Sequence, residues 1–351
     1  MNRLLVVGFI LWITMVIFTG CDSVESSSAD VSGDWLIPEN EIFDGGPGKD
    51  GIPALKSPAL TKPSNISYLA NNDLVLIVNH NSEVRIYPHP ILDLHEIIND
   101  EIGDKSFAVT YCPLTGSGIC WDRMVFGEKT TFGVSGLLYN TNLIPYDRNT
   151  GSNWSQMQLR SVNGPLLSTV VKTYPIIETS WATAKNLYPD ADVVSISTGY
   201  SRNYGTYPYG DYRTNNSSLI FPVNNSDGRL NEKERVLGLL SNSSTKAYRI
   251  NDFQNGEVII DTINSDRFLI YGDSGKNIIC AFNITNINKD VVFSISNTFS
   301  SYVLSDNLGN NFDLFGNSQN SNARNLESAK FFIAYWFAWA AFYPDTDLYQ
   351  K

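Results

Sequence analysis

Histidine, cysteine and methionine are scarce in this 351-residue chain, which contains three, four and four of them, respectively. No two histidines or cysteines are spaced closely enough for a zinc finger or a two-histidine helix, so the sequence lacks a strong metal motif. The chain also lacks a basic run, and its formal charge is −11. We therefore expect no nucleic-acid partner, because binding to phosphates needs clustered cations.

Long hydrophobic runs are few, and the longest stands at the N-terminus. Arg3 precedes an apolar run over residues 4–18, and small residues lead from it to Cys21. The run is shorter than the roughly 20 residues of a membrane-spanning helix. This pattern predicts a signal peptide over residues 1–21 with lipidation of Cys21, the alternative being an uncleaved membrane anchor. Both readings predict an extracytoplasmic protein of the cell envelope that is tethered to a membrane.

The chain after Cys21 contains an internal repeat. Residues 22–30 are polar and acidic, and we predict a flexible acidic and serine-rich tether over residues 22–44. Residues 73–87 then align without a gap to residues 234–248, Trp181 aligns with Trp336, and Cys120 aligns with Cys280. The period is too long for a solenoid. We predict a first repeat over residues 45–198, a tyrosine- and asparagine-rich connector over residues 199–230, and a second, degenerate repeat over residues 231–351.

The predicted fold class is α+β and predominantly β. Each repeat contains short runs rich in β-branched and aromatic residues, bounded by Asn, Gly and Pro. Helical spacing of apolar residues predicts helices over residues 91–99, 179–187 and 331–342. The simplest architecture is therefore two similar subdomains, each a small sheet with one or two packed helices.

The first repeat contains a block of rare residues, which we call the motif block. Its segments are residues 95–100, 111–116, 121–123, 132–136, 146–148 and 154–156. The second repeat lacks part of it, because Asn255 or Gly256 stands opposite His95 and Gly272 stands opposite Cys112. Residues shared by both repeats are most simply explained by the fold. We therefore place the function on the residues found only in the first repeat.

These motifs resemble those of the family called domain of unknown function 3179. Residues 50–55 (Asp-Gly-Ile-Pro-Ala-Leu) precede the motif block, and residues 336–339 (Trp-Phe-Ala-Trp) follow it. The resemblance runs from Gly45 to Tyr349 and implies a secreted or membrane-tethered prokaryotic protein. It implies no reaction, because the family has no established activity.

The chain departs from the family pattern at three positions. His89 and Met124 do not belong to the pattern, which makes them weaker site candidates. Phe312 lies near a position where the family usually has tryptophan. The first repeat is therefore the better-preserved half.

The first chemical hypothesis is a thiol nucleophile. Cys112 stands at a turn, His95 on the preceding predicted helix would favour its thiolate, and Glu96 or Asp147 would orient the imidazole ring. The alternative is that Cys112 is a small core residue and that His95 makes ordinary hydrogen bonds. The reaction would be attack on an acyl or similar electrophilic group.

The second hypothesis is a copper or zinc site built on Cys112 and His95, with Met124, Met157 or a carboxylate as further ligands. A Cys112–Cys120 disulfide is a third interpretation, plausible in an oxidising compartment. Because Cys120 has a counterpart in the second repeat, we favour a core position for Cys120 and a free Cys112. The cofactor stays unknown at this point.

The third hypothesis is a non-catalytic lipoprotein that binds a ligand or assembles with a partner. Its ligand-binding candidates are Arg85, Thr115, Arg123, Asp147 and Arg148. The arginines could converge with aspartates on an anionic ligand, although buried ion pairs between strands explain them more simply. The sequence does not identify the ligand or the protein partner.

Overall fold

A computed structural model describes residues 34–296 and 301–351. The predicted signal peptide, Cys21 and most of the predicted tether lie outside these residues. Within them, no helix combines the length and hydropathy needed to cross a membrane. The helices are short, and strands dominate, so the α+β, predominantly β class is confirmed.

The helices are α1 (His89–His95), α2 (Trp181–Leu187) and α3 (Trp336–Phe342), and single 3-10 turns occur at Glu39–Glu41, Pro63–Asn65 and Ile250–Asp252. The strands as far as α2 are β1 (Ile42–Asp44), β2 (Leu55–Lys56), β3 (Leu60–Thr61), β4 (Leu74–His80), β5 (Glu83–Pro88), β6 (Ile97–Ile102), β7 (Lys105–Cys112), β8 (Ser117–Asp122), β9 (Met124–Val125), β10 (Glu128–Lys129), β11 (Phe132–Tyr139), β12 (Asn142–Asp147), β13 (Asn153–Ser155), β14 (Arg160–Asn163), β15 (Thr173–Tyr174) and β16 (Ile177–Ser180).

The strands after α2 are β17 (Asp192–Val194), β18 (Arg235–Ser241), β19 (Ser244–Arg249), β20 (Glu257–Ile263), β21 (Asp266–Asp273), β22 (Ile278–Asn283), β23 (Phe293–Ile295), β24 (Tyr302–Asp306), β25 (Asn311–Asp313), β26 (Glu327–Ser328), β27 (Lys330–Tyr335) and β28 (Asp347–Leu348). Their sheets, in order of hydrogen-bonded neighbours, are β1-β11-β12-β13-β14, β10-β9, β15-β8-β7-β6-β2, β16-β4-β5-β17-β3, β27-β18-β19-β28, β20-β21-β22-β26 and β23-β24-β25.

Two of these sheets have the same central arrangement. The β4–β5 hairpin is flanked by antiparallel β16 and parallel β17, and the β18–β19 hairpin is flanked by antiparallel β27 and parallel β28. A helix that begins with tryptophan, α2 or α3, follows β16 and β27. The neighbouring hairpins differ in register, since Tyr111 pairs with Gly118 whereas Tyr271 pairs with Cys280. Cys120 instead pairs with Val109.

The hydrophobic cores draw on both parts of the chain. One core joins Trp121 and Trp154 of the first part to Trp336 and Trp339 of the second. Another joins Val75 and neighbouring strand residues to Leu269, Cys280 and others from the second part. Since burial of each large apolar side chain contributes roughly 1.5–3 kcal/mol, these shared cores hold the two parts together.

The predicted helix over residues 91–99 is wrong in its second half. Helix α1 ends at His95 because Glu96 has a φ of +57°, outside the helical region. The next residues form β6, which pairs with β7. The predicted helix over residues 331–342 likewise begins as β27 and becomes helical only at Trp336. Helix α2 starts close to its predicted position because Ser180 Oγ accepts a hydrogen bond from the Thr183 amide.

Candidate functional site

The turn that follows β7 belongs to a closed network of buried polar side chains. Thr115 Oγ1 lies 2.8 Å from Ser117 Oγ and accepts a hydrogen bond from Asn142 Nδ2 at 2.9 Å. Gln156 Oε1 accepts from Ser117 and Asn142, and its Nε2 donates to Thr110 at 3.0 Å. Thr115 is fully buried, so this predicted ligand-binding residue holds strands together in the observed conformation.

His95 is the last residue of α1 and is also fully buried. Its Nδ1 lies 2.7 Å from the Pro53 carbonyl oxygen, and its Nε2 lies 2.7 Å from the Tyr204 hydroxyl. Burial lowers the pKa of His95, and the hydrogen bond to Pro53 opposes this only in part. Both ring nitrogens therefore have partners, and neither partner is Cys112.

Cys112 ends β7 and is 1% exposed. Its Sγ donates to the carbonyl oxygen of Thr141, which lies in the tight turn between β11 and β12, at 3.7 Å. Burial, with a smaller contribution from the nearby Glu96 carboxyl, raises the pKa of the thiol to about 11. A thiolate nucleophile needs the opposite environment.

The two carboxyl groups proposed to orient the imidazole lie in different settings. Glu96 is buried, and burial together with Asp93 raises its pKa to about 8. Asp147 accepts hydrogen bonds from the Thr150 hydroxyl at 2.7 Å and from Trp154 Nε1 at 3.1 Å. The Asp147 carboxylate thus fixes a turn and a core tryptophan.

The three arginines chosen from the sequence each pair with a different carboxylate. Arg85 Nη1 lies 2.8 Å from Asp100. Arg123 donates to the Thr130 carbonyl at 2.7 Å and lies 3.4 Å from Glu101. Arg148 binds Asp50 through both terminal nitrogens, at 2.8 and 2.6 Å. Only the Arg85–Asp100 pair is largely buried on both sides, as the simpler interpretation expects, whereas the Arg148–Asp50 pair is exposed. The three arginines are not gathered on one free anion site.

The cysteines and methionines give the metal hypothesis little geometric support. Cys112, Cys120 and Cys280 are free thiols, so the Cys112–Cys120 disulfide interpretation is wrong. Met157 is fully buried, whereas Met124 is 46% exposed. In residues 34–296 and 301–351, no three His, Cys, Asp or Glu side chains are grouped to hold a metal ion.

The connector (residues 199–230) lies over the motif block. The Tyr207 hydroxyl donates to the Pro113 carbonyl at 3.3 Å, and the Tyr212 hydroxyl donates to the Leu114 carbonyl at 3.0 Å. Tyr204 contributes the hydroxyl that meets His95. Tyrosine hydroxyls of the connector therefore cover the turn that follows Cys112.

A second group of buried polar residues, which we call the central charged cluster, was missed by the sequence interpretation. It consists of His89, Asp93, Glu178, Arg213 and Arg235. His89 Nε2 lies 3.1 Å from Glu178, which also pairs with Arg235, and Asp93 pairs with Arg213. Helix α1, β16, the connector and β18 each supply part of it.

Burial shifts the pKa values in this cluster strongly. The pKa of His89 is held well below its usual value by burial and by the positive charges of Arg213 and Arg235. Burial raises the pKa of Asp93 to about 6, although Arg213 opposes the shift. Perturbed titratable groups of this kind are typical of functional sites, and also of structural ion-pair networks.

A polar cavity of about 280 Å³ borders the cluster. Its lining includes the cationic side chains of Arg213, Lys233 and Arg235 and a single carboxylate, Glu234. Asparagine side chains complete much of the wall, at positions 216, 231, 251 and 277. We call this cavity the arginine pocket.

The pocket has an incompletely bonded wall. Asn277 accepts a hydrogen bond from Arg235 at 2.5 Å, yet its Nδ2 is buried without a hydrogen-bond partner. Burial lowers the pKa of Lys233 to about 8. No sequence pattern marks these residues, because the connector, β18 and two distant turns bring them together.

Comparison with known proteins gives one match. Residues 49–346 match the family model described as a protein of unknown function, DUF3179. The chain belongs to the DUF3179 family. No curated protein and no solved structure matches it. The matched part of this DUF3179 protein includes the motif block, the central charged cluster and the arginine pocket.

Proposed function

We propose that this DUF3179 protein is a membrane-tethered lipoprotein of the cell envelope that binds a small anionic ligand in the arginine pocket. The tether is supported by Arg3, the apolar run and Cys21. Lipidation at Cys21 is tested by expressing the full chain and a Cys21→Ser variant in a bacterial host and measuring lipid labelling and membrane association. We expect a lipid-labelled, membrane-associated protein that loses both properties in the variant, and label retained by the variant would refute the lipidation site.

The binding function depends on one observation, the cationic lining of the arginine pocket. Arg213, Lys233 and Arg235 line the cavity, and Glu234 is the one acidic residue in its lining. The Lys233 ammonium donates to the Ser218 carbonyl at 2.8 Å, so the two guanidinium groups are the main candidates for contact with an anion. Guanidinium groups present several N–H donors in a fixed plane and suit carboxylates and phosphates. The ion pairs with Asp93 and Glu178 hold the two guanidinium groups in place before a ligand arrives.

The asparagines support a ligand with hydrogen-bonding groups. Asn277 Nδ2 offers a buried donor without a partner, and such groups call for an explanation in a folded protein. An acceptor oxygen of an anion would satisfy it. The cavity volume of about 280 Å³ favours a small carboxylate or phosphate compound.

Calorimetric titration with inorganic phosphate and with acetate tests this proposal. We expect saturable binding of at least one of them to the unmodified protein. Asn231→Asp adds a negative charge at the exposed edge of the pocket without removing a buried ion pair, and we expect affinity to fall at least tenfold. Asn149→Asp adds the same charge at an exposed site elsewhere and serves as the matched control. Absence of binding by both anions, or equal losses in the two variants, would refute the pocket.

Thiol catalysis and metal binding at Cys112 and His95 stay predictions. They would need a conformation in which the connector leaves the motif block, because both residues are buried and have other partners. A copper or zinc titration of the purified protein, with Cys112→Ser as control, tests the metal. Stoichiometric binding that is lost in the variant would favour the metal over the arginine pocket as the main site.

We also propose that the chain arose by internal duplication into two similar subdomains. The proposal is supported by the matched arrangement of the β4–β5 and β18–β19 hairpins and by the equivalent positions of Trp181 and Trp336. The β7–β8 and β21–β22 hairpins have different registers, so the similarity of the two subdomains does not extend to exact strand pairing there. Cys120 and Cys280 are therefore not exact equivalents.

A further inference from the structure

A groove separate from the arginine pocket lies between β14 and β27. Its volume is about 630 Å³, and Gln158, Arg160, Asn242, Ser243, Lys330 and Tyr343 are among its lining residues. Arg160 and Lys330 begin the two strands, so sheets from both parts of the chain build its walls. We call it the β14–β27 groove.

Positive charge in this groove has no local counterion. None of the lining side chains is acidic. In residues 34–296 and 301–351, no carboxylate lies within ion-pair distance of Arg160 or Lys330, although most other arginines and lysines in the protein have such partners. Two uncompensated cations on an acidic protein are favourable only if other interactions or an anion offset their repulsion.

The two cations affect each other. Lys330 is exposed as a residue, but partial desolvation in the groove and the charge of Arg160 together lower its pKa. The carboxylate of Asp266, which accepts a hydrogen bond from the lining residue Asn242 at 3.2 Å, also accepts one from Ser241 at 2.9 Å. An anion placed between Arg160 and Lys330 would relieve the repulsion between them.

Part of the remaining lining is polar and suits hydroxyl groups. Gln158, Asn242, Ser243 and Thr245 provide amide and hydroxyl groups that both donate and accept hydrogen bonds. The Tyr343 hydroxyl is committed to the Met157 carbonyl at 2.5 Å, which fixes that side of the groove. Leu36, Leu159, Val170 and Leu240 complete the lining with apolar surface. Two cations, several amides and hydroxyls, and apolar surface together suit a ligand with one charge, several hydroxyls and some C–H surface.

A neighbouring cavity extends this surface. It has a volume of about 320 Å³, shares Leu159 and Lys330 with the groove, and also contains Lys172. A ligand bound at Lys330 therefore has room to continue into the second cavity. The combined size exceeds what a single small anion needs.

We propose that the β14–β27 groove binds an acidic carbohydrate, with its carboxylate or phosphate between Arg160 and Lys330 and its hydroxyls on the surrounding amides. This inference is independent of the arginine pocket and names a second ligand class for the protein. Carboxylated and phosphorylated sugars share the chemistry that the groove recognises.

Calorimetry or NMR titration with galacturonate, galactose 6-phosphate, neutral galactose and inorganic phosphate tests the proposal. We expect at least one charged sugar to bind at least tenfold more tightly than galactose or phosphate. Arg160→Gln and Lys330→Gln should each weaken that binding at least tenfold. Lys56→Gln removes an exposed lysine outside the groove and should leave it unchanged.

Three outcomes would overturn the proposal. The first is that neither charged sugar binds, and the second is that phosphate alone binds as well as galactose 6-phosphate. The third is that Lys56→Gln weakens binding as much as the groove variants. Because Arg160 and Lys330 are exposed, their variants should keep the thermal unfolding midpoint of the parent protein. An unchanged midpoint shows that a loss of binding does not come from a loss of folding.

Discussion

The reactivity of Cys112 separates a thiol catalyst from a core thiol. Burial raises the pKa of Cys112 from 9.0 to about 11. Two pKa units correspond to an approximately 100-fold smaller thiolate fraction near neutral pH, since each unit is a factor of ten. The Sγ atom is also inaccessible, because the residue is 1% exposed and lies beneath the connector. We therefore expect modification of Cys112 to be more than 100-fold slower than that of an unhindered thiol.

Timed alkylation followed by mass-spectrometric peptide mapping measures this directly. The native protein is treated with iodoacetamide at pH 7.4, and a sample unfolded in urea provides the rate of the unhindered thiol. Mapping assigns the label in the unmodified sequence, so the result does not depend on a cysteine variant that folds. Cys120 and Cys280 are buried in sheets and provide internal comparison. If native Cys112 reacts within tenfold of its unfolded rate, the burial argument is wrong and the thiol hypothesis gains support.

Three further predictions concern stability and charge. The pKa of Glu96 is about 8 in the folded protein, so the free energy of unfolding of the parent protein should decline as the pH rises from 4.5 to 8. In urea unfolding, Glu96→Gln should therefore stabilise the protein by a few kcal/mol at pH 8 and have little effect near pH 4.5. If the stability of Glu96→Gln depends on pH in the same way as that of the parent protein, this prediction is wrong. Asp100→Ala should cost roughly 3–5 kcal/mol in the same assay, because it removes the carboxylate that pairs with half-buried Arg85 and accepts from the buried Tyr87 hydroxyl. A loss below about 1 kcal/mol would contradict this. Arg160→Gln should raise the pKa of Lys330 in an NMR titration, whereas a fall would refute their repulsion.

The class of the fold could be predicted from the sequence, but two helix boundaries could not. Apolar residues 91, 94 and 98 are spaced for a helix, yet pairing with β7 makes residues 97–102 a strand. The positive φ of Glu96 ends α1 and directs the chain into β6, and no local sequence pattern predicts this φ. Tertiary pairing thus outweighs helical periodicity at this point.

The candidate site was harder to predict because its residues are distant in sequence. His95 and Cys112 attract attention as rare residues, but their bonding partners include Pro53, Thr141 and Tyr204. Each partner comes from a segment whose position depends on the complete fold. The arginine pocket has the same origin, since the connector and β18 meet only in the folded chain.

The parallel pairing of β5 with β17 has a consequence for folding order. The β4–β5 hairpin is local, but its parallel partner is synthesised only after the entire motif block. Until then one edge of the hairpin stays open to other strands, and such edges promote association between chains. We therefore expect nascent chains that stop before residue 192 to be more prone to aggregation than longer ones.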